Sequence, residues 1–224
     1  MNDVTFKIEA GECVAIIGPS GAGKSTLTRL LVRAADPIDG TIRLEGCPLT
    51  EDTLASLRSA VCYVPQHPVL FLGSIRENLR YANPHANIDE MYRATQALQL
   101  PAVIDNLPQG LDAPLGPGAA SLSGGERQRL ALARSLLRKS AAIVLDEATS
   151  ALDAPTERMV LASLAQFRMH QTMIVVSHRI KSGPGREGQR GPAMRATLSP
   201  QALIRRYTHN PPSIARCLMP RIVR

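Results

Sequence analysis

The stretch CVAIIGPSGAGKSTLTRLL, residues 13–31, decides the fold. It begins with an apolar run, Cys13–Ile17, that is typical of a buried strand, and it ends in a helical pattern that begins at Lys24. Between them, residues 18–25 match the phosphate-loop pattern GxxxxGK[ST] in the strand–loop–helix context that the pattern requires. Glycines suit this loop because consecutive backbone N–H groups must converge on phosphate oxygens without interference from Cβ atoms. The sequence therefore predicts a loop that binds the phosphates of a nucleotide.

The predicted loop assigns a role to particular side chains. Lys24 should reach the β- and γ-phosphates, and the hydroxyl of Ser25 should bind Mg²⁺. The helix that follows adds the positive end of its dipole to the same place. The predicted nucleotide-binding residues in this segment are Gly18, Pro19, Ser20, Gly21, Ala22, Gly23, Lys24, Ser25 and Thr26.

A second motif ends another apolar strand. Ala141–Leu145 is followed by Asp146 and Glu147, so that a strand delivers two carboxylates to the end of the sheet. Asp146 is a candidate ligand of Mg²⁺ through water, and Glu147 is placed to act as the general base on an attacking water. Such a pair is often no more than the start of a helix, but beside a phosphate loop it indicates a Mg-nucleotide site.

Short apolar runs alternate with helical patterns along the body of the chain, which predicts an α/β fold with a mainly parallel sheet flanked by helices. The strand signal is lost between Ser74 and Leu107, which favours an inserted helical subdomain, about residues 74–137 including a strong helix from Gly125 to Leu137. The expected strands are Val4–Ile8, Cys13–Ile17, Thr41–Leu44, Val61–Val64, Ala142–Leu145 and Thr172–Val176.

The positive charge of the chain is confined to its C-terminal part. Residues 1–180 carry 17 Lys or Arg against 18 acids, whereas residues 181–224 carry nine against one. The net charge of +7 therefore does not indicate nucleic-acid binding by the body, and no nucleic-acid partner is expected. The segment 181–224 is rich in Gly and Pro, and Pro200–Tyr207 is its longest candidate element, so we expect a poorly ordered tail after a domain spanning residues 1–180.

Two further features of the sequence indicate in which cellular compartment the protein is expected. The longest apolar runs have five residues, far below the roughly 20 that a membrane helix needs, and no signal peptide opens the sequence. The four cysteines show no metal-ligand spacing, which fits a reduced compartment.

The segment LSGGERQ, Leu122–Gln128, discriminates among nucleotide-binding families. Placed at the start of a helix and before the strand that ends in Asp146, it closely resembles the signature motif of the ATP-binding domain of ABC transporters, with Glu126 where Gln is usual. The stretch from Tyr63 to Asn78 resembles exporter-type members. The resemblance covers about residues 2–180 and implies the P-loop ABC-ATPase fold.

The resemblance also implies functions for residues that have none by themselves. Gln66 looks like the Q-loop residue that senses Mg²⁺ and couples to the membrane partner. The segment Ser150–Asp153 resembles the D-loop, and His178 resembles the switch histidine at the γ-phosphate. Ser123, Gly124 and Gly125 would contact the nucleotide held by a second copy. A lone Gln or His at such a position would ordinarily be structural.

The cofactors implied by the resemblance are ATP and Mg²⁺, and the implied reaction is hydrolysis of ATP to ADP and phosphate, with Glu147 and His178 as catalytic residues. The implied partners are a transmembrane permease domain, on a separate chain or in a missing part of the same gene, and a second ATP-binding domain in a head-to-tail homodimer or heterodimer. The location would be the cytoplasmic face of the plasma membrane, reached through the membrane partner.

Besides Glu126, the sequence departs from the family in three places. The aromatic residue that stacks on adenine upstream of the first strand is missing, since the nearby Phe6 falls within a predicted strand. Pro117 replaces an acidic residue in the loop before the signature. Nothing after residue 180 matches the family's last strands, which a frameshift or a diverged regulatory tail would explain, and which should leave an unpaired sheet edge beside Thr172–Val176.

Two other functions stay open at this point. The chain could be a truncated nucleotide-binding module with little or no turnover. It could also be an ABC ATPase that acts on DNA or ribosomes, although the spacing between Gln66 and Leu122 leaves no room for a long coiled coil.

Overall fold

The structure is a computed structural model that describes residues 4–167 and 171–177 and, for the backbone alone, residues 203–207. Its strands are β1 Cys13–Ile17, β2 Arg43–Leu44, β3 Cys47–Pro48, β4 Val61–Val64, β5 Gly73–Ser74, β6 Pro114–Leu115, β7 Ala142–Asp146, β8 Thr172–Ser177 and β9 Leu203–Tyr207. Its α-helices are α1 Lys24–Leu31, α2 Leu54–Ala60, α3 Ile75–Arg80, α4 Ile88–Ala97, α5 Pro101–Asp105, α6 Gly124–Leu137 and α7 Ala154–Phe167. Short 3₁₀ turns lie at Gly110–Asp112 and Pro117–Ala119.

The chain divides into two compact units, each of which is described by itself. One unit contains Met1–Tyr63, Ser140–Glu147 and His170–Arg224, and the other contains Val64–Lys139 and Ala148–Met169. No helix among the described residues is long and apolar enough to cross a bilayer.

The first unit is built on a five-stranded sheet in the order β4-β7-β8-β1-β9. β8 pairs in parallel with both β7 and β1, while β9 runs antiparallel to β1. The expected α/β fold with a mainly parallel sheet is confirmed. Because β1, β7 and β8 are parallel, their carboxyl ends point to the same side of the sheet. Open α/β sheets bind their ligands at the carboxyl ends of the strands.

The core of this unit explains why the strands form. Val14 and Ile16 of β1 are fully buried and pack with Val144, Ile174 and Val176 of the neighbouring strands. Strands covered on both faces read as continuous apolar runs, as these do. Burial also raises the pKa of the Cys13 thiol to about 12, so this cysteine stays protonated and packs as a small hydrophobe.

The second unit is mainly helical, and it also contains the short antiparallel pair β5–β6. Three of its helices begin with a reciprocal capping box, in which the first side chain accepts from a backbone N–H and a Glu three residues later accepts from the cap's own N–H. The pairs are Ser74 with Glu77, Asn87 with Glu90, and Ser123 with Glu126. These caps fix where the helices start.

Three expectations about strands are wrong. Val4–Ile8 forms no strand, and the half-buried Phe6 packs against the core instead. The strand expected at Thr41–Leu44 shrinks to the two residues of β2, which form a small hairpin with β3. β8 lies inside the sheet rather than at its edge, because β1 pairs with it on the side away from β7.

The tail supplies a strand that was not expected. Leu203–Tyr207 pairs with the whole of β1, from Ile17 opposite Leu203 to Cys13 opposite Tyr207. The rest of residues 181–224 lies outside the described residues. The expectation that this segment is poorly ordered therefore stays a prediction.

Deleting residues 181–224 should therefore lower the free energy of unfolding. The loss should be at least about 2 kcal/mol, since each backbone hydrogen bond contributes about 1 kcal/mol and β1 would lose a whole partner strand. Urea unfolding of chains ending at residue 180 and at residue 207 checks this. Equal stability of the two truncated chains would show that β9 adds nothing to the sheet.

Candidate nucleotide-binding site

The phosphate loop has the backbone that its glycines were expected to provide. Gly21 and Gly23 have φ of 81° and 89°, a region that side-chain-bearing residues rarely adopt. Gly23 precedes the first residue of α1 without any side-chain cap, so the first N–H groups of the helix have no side-chain acceptor from the cap. A loop that follows a buried strand in this way presents donors to an anion.

Lys24 lies within this loop rather than in solvent. Its side chain is 4% exposed, and its Nζ donates to the carbonyl oxygens of Gly18 and Pro19, both at 2.8 Å. The ammonium group is therefore held over the loop by the loop's own backbone. Ser25 and Thr26 are exposed on the same turn.

Asp146 ends β7 as a buried carboxylate, 5% exposed. Its Oδ2 accepts from the hydroxyl of Thr28 at 2.7 Å and from that of Tyr63 at 2.9 Å. Its Oδ1 is buried with no hydrogen-bond partner among the described residues. A buried carboxylate oxygen without a donor is costly unless something else meets it.

This arrangement fits a metal-bound water. Both donors converge on one oxygen of Asp146 and leave the other for a ligand, and carboxylate oxygen suits Mg²⁺. Burial, then the hydrogen bond to Asp146 and its charge, raise the pKa of Tyr63 to about 12. Tyr63 therefore keeps its proton at neutral pH and remains a donor to the carboxylate.

Glu147 has an unusual backbone. Its φ is 50°, which is uncommon for a residue other than glycine, and its N–H donates to the carbonyl oxygen of Val176 on the neighbouring strand at 3.1 Å. Conformations of this kind cost about 1–3 kcal/mol and cluster at functional sites. The side chain is half-buried. The backbone thus turns sharply after Asp146 at the position predicted for the general base.

His178 lies outside the described residues. The strand that leads to it, β8, ends at Ser177, which is opposite Ile17 in the register with β1. The first unit therefore brings together the phosphate loop, Asp146 and Glu147.

The second unit holds the signature segment. Ser123 caps α6 by accepting from the N–H of Glu126 at 3.3 Å, and Glu126 accepts from the N–H of Ser123 at 2.7 Å. Glu126, the departure from the usual Gln, thus completes a capping box. Gly124 and Gly125 form the first helical residues.

Gly125 lies close to the segment that resembles the D-loop. A Cβ added to Gly125 would meet Leu152 Cδ2 at 3.2 Å and the carbonyl oxygen of Ala151 at 3.5 Å. In the same segment, Asp153 accepts from the N–H of Thr156 at 3.3 Å, and hydrogen bonds to Thr156 hold the pKa of its carboxyl below the usual value. The second unit therefore packs the signature glycines against the D-loop, with Asp153 in place to cap α7.

Gln66 contributes a backbone contact in this unit. Its carbonyl oxygen accepts from Nε2 of Gln128 at 3.0 Å. Sequence reasoning assigned a function to Gln66 but none to Gln128, and it also missed Thr28 and Tyr63. A buried polar side chain among apolar helix positions is the one signal that could have pointed to Gln128 and Thr28.

The fold and the first unit's site define a nucleotide-binding protein of the P-loop α/β class. The family model described as "ABC transporter" matches residues 1–150, and the chain therefore belongs to the ABC transporter family. It is an ATP-binding domain of the exporter type, as its relatives show.

Two curated proteins illustrate the similarity. Over 182 residues the chain is 45% identical to human ATP-binding cassette sub-family B member 6, covering 81% of this chain and 22% of that protein. Over 183 residues it is 42% identical to the ATP-dependent lipid A-core flippase of Albidiferax ferrireducens, covering 81% of this chain and 32% of that protein. The chain thus spans less than a third of the length of each of these relatives.

A solved structure agrees with these relatives. The structure of a bacterial Atm1-family ABC exporter with ATP bound has a TM-score of 0.75 and 42% sequence identity. The match covers 79% of this chain and 31% of that one. The predicted family and fold are confirmed, and ATP hydrolysis is the general activity of this family.

Proposed function

We propose that this chain binds Mg-ATP and hydrolyses it to ADP and phosphate, and that it supplies this energy to an exporter. The observation that carries the proposal is the pairing of the phosphate loop with Asp146, whose Oδ2 is doubly bonded and whose Oδ1 has no partner. Both features follow the carboxyl ends of parallel strands. A phosphate loop beside a carboxylate oxygen that can accept a ligand supports binding of a Mg-nucleotide.

Different residues would bind the phosphates, hold Mg²⁺ and accept the proton of the attacking water. Lys24 and the N–H groups of the loop bind and orient the phosphates, while Ser25 and Asp146 would hold Mg²⁺, Asp146 through water. When bound, Mg²⁺ neutralises negative charge on the phosphate oxygens. Glu147, fixed by its hydrogen bond to β8, accepts the proton of the attacking water.

The second unit completes the proposed site in a dimer. Ser123, Gly124 and Gly125 would contact the nucleotide of a second copy through the N-terminus of α6. Gln66 would bind Mg²⁺, Asp153 would lie at the interface between copies, and His178 would contact the γ-phosphate. The partner copy could be identical or related.

An exposed aromatic cluster supports a further partner, the transmembrane domain. Val69, Phe71, Leu72 and Tyr81 are 41% to 73% exposed, and the rings of Phe71 and Tyr81 lie 4.4 Å apart. Arg134 lies 5.4 Å from the Phe71 ring centre. Exposed apolar clusters with a polar surround mark interaction sites. Docking there would place the chain at the cytoplasmic face of a membrane.

The buried Asn78 holds this cluster in place. It is 1% exposed, its Oδ1 accepts from the N–H of Phe71 at 2.9 Å, and its Nδ2 donates to the carbonyl oxygens of Phe71 and Ser74 at 3.0 Å. The aromatic side chain is therefore presented by a fixed backbone, which favours a preformed docking surface.

The proposed activity is tested by measuring phosphate release from ATP by the purified chain, with Mg²⁺ and with EDTA. We expect Mg²⁺-dependent release that saturates with ATP. Tight nucleotide binding with no release would favour the alternative, a nucleotide-binding module without turnover. Absence of both would contradict the assignment of the site.

Replacing Ser123 by Arg should block ATP-dependent dimer formation and leave the ATP affinity of the monomer unchanged. The Ser123 side chain is exposed at the start of α6. The long, positively charged Arg side chain would fill the space expected for the other copy's nucleotide. Gel filtration with Mg-ATP in a Glu147→Gln background measures dimerisation.

Ser123→Asn is the matched control, because Asn keeps the helix cap that Ser123 provides. This variant should still form the dimer. Equal dimerisation of Ser123→Arg and the control would contradict the assignment of the signature segment to the second copy's nucleotide.

A further inference from the structure

Gln128, the last residue of the signature segment, is a buried amide inside α6 to which neither the sequence analysis nor the comparisons assign a role. Its side chain is 4% exposed and reaches two separate segments of the same unit. Nε2 donates to the carbonyl oxygen of Gln66 at 3.0 Å and to Oγ of Ser150 at 3.1 Å, while Oε1 accepts from the N–H of Ala151 at 2.9 Å. Both N–H groups and the carbonyl of the amide are therefore used.

Apolar packing cannot replace these three hydrogen bonds. A buried amide is tolerated only when its donors and acceptor are satisfied, and leaving one unpaired costs about 1–3 kcal/mol. Leu or Met would fill the volume but make none of the bonds. Glu would keep an acceptor for the N–H of Ala151 and lose both donors. Only an amide of this length serves all three groups.

A second observation brings the same segments together independently. A Cβ added to Gly125, three residues before Gln128, would lie 3.2 Å from Leu152 Cδ2, so that the Leu152 side chain would have to shift by a few tenths of an ångström, and it would be in van der Waals contact with the carbonyl oxygen of Ala151. The start of α6 and the segment from Ser150 to Asp153 are thus in contact on two sides, through the glycine and through the amide.

We propose that Gln128 is a positioning residue that ties the Gln66 segment and the Ser150–Asp153 segment to the signature helix, so that the three move as one piece. The amide carries no chemistry itself. It acts by fixing the backbone of Gln66 and of Ala151 relative to the helix that begins at Ser123. The roles of those segments rest on the proposed function, whereas the linkage rests on the hydrogen bonds alone.

The linkage has a consequence for turnover. If α6 shifts when its N-terminus meets a nucleotide, the bonds of Gln128 pass that shift to Gln66 and to the segment ending at Asp153. Cutting the bonds should therefore slow the step that follows ATP binding. The affinity for ATP without Mg²⁺ should not change, because the phosphate loop belongs to the other unit.

Two variants separate the acceptor bond from the donor bonds. Gln128→Leu removes all three bonds, and Gln128→Glu, which is isosteric, removes only the two donated ones. The readouts are the exchange rate of the Ala151 amide proton and the ¹³C shift of the Gln66 carbonyl, both measured by NMR on the full chain. Gln96→Leu and Gln96→Glu on the exposed face of α4 are the controls.

We expect Gln128→Leu to raise the exchange rate of the Ala151 amide about tenfold, the equivalent of one hydrogen bond, and to move the Gln66 carbonyl shift. Gln128→Glu should move the Gln66 shift yet leave Ala151 exchange within about twofold of the parent chain. Both variants should lower kcat for ATP about tenfold and leave the affinity for ATP without Mg²⁺ within about twofold of the parent chain. The Gln96 controls should change none of these.

The result that would overturn the proposal is an Ala151 exchange rate and a Gln66 shift that stay at the parent values in both Gln128 variants. Unchanged kcat in Gln128→Glu despite a moved Gln66 shift would also overturn it, since the linkage would then have no effect on turnover. Should Gln128→Leu fail to fold, Gln128→Glu carries the test alone. If the parent chain itself releases no phosphate, the proposed function fails, while the two NMR readouts still decide whether Gln128 links the segments.

Discussion

Replacing Glu147 by Gln should lower the rate of phosphate release from Mg-ATP about 100-fold or more, because a positioned general base contributes about 10²–10⁴ to such rates. The exchange keeps the size and shape of the side chain and removes its ability to accept a proton from water. The backbone at φ of 50° and its bond to Val176 stay in place, so the rest of the site should be unchanged. Single-turnover measurements with labelled ATP give the rate of the chemical step.

The nucleotide affinity of this variant should stay within about twofold of the parent chain, since Glu147 is not assigned to phosphate binding. Glu51→Gln is the matched control, because Glu51 is an exposed carboxylate in the same unit. The control should hydrolyse ATP at the parent rate. Hydrolysis at that rate by Glu147→Gln as well would remove Glu147 from the role of base.

Much of the fold follows from local patterns in the sequence. The buried strand Cys13–Ile17, the phosphate loop and the strand that ends in Asp146 are all encoded within a few neighbouring residues. Their apolar runs stop where a glycine or an acid begins, and the structure keeps each of these boundaries within about a residue. For this reason the predicted site in the first unit could be placed before the sheet order was known.

The failures share a different physical cause. Whether Val4–Ile8 joins the sheet depends on partners far along the chain, and its alternation is equally satisfied when Phe6 packs against the core from outside. The strand β9 likewise depends on pairing with β1, and its own composition, with two consecutive arginines, gave no sign of a sheet position. Non-local pairing is not visible in a single short window.

The supporting residues of the site were missed for the same reason. Thr28 lies one helical turn after Lys24, and Tyr63 lies on another strand, yet both donate to one oxygen of Asp146. Nothing close to either residue in the sequence points to that carboxylate. Their meeting is set by the pairing of strands and the packing of α1 on the sheet, so it becomes evident only in three dimensions.

Replacing Lys24 by Met should weaken the binding of ATP by about 10- to 100-fold, since a hydrogen bond to a charged group contributes about 1.5–3 kcal/mol and each 1.4 kcal/mol is a factor of ten. Met keeps most of the volume and apolar contact of the Lys side chain and removes the ammonium group. Titration with a fluorescent ATP analogue, with and without Mg²⁺, measures the affinity.

Two effects of this substitution must be separated, because Nζ of Lys24 also donates to the carbonyl oxygens of Gly18 and Pro19. Loss of those bonds should loosen the loop and lower the free energy of unfolding by about 1–3 kcal/mol in the absence of nucleotide, which urea unfolding reports.

Two further variants serve as controls. Ser25→Ala leaves the bonds of Lys24 intact and should weaken ATP binding only when Mg²⁺ is present, so it measures how much Mg²⁺ contributes to the affinity. Lys139→Met, at an exposed position, controls for the loss of one positive charge. If Lys24→Met bound ATP as tightly as the Lys139 control, residues 18–25 would not hold the phosphates, and the structure's apparent phosphate loop would be no more than a turn between β1 and α1.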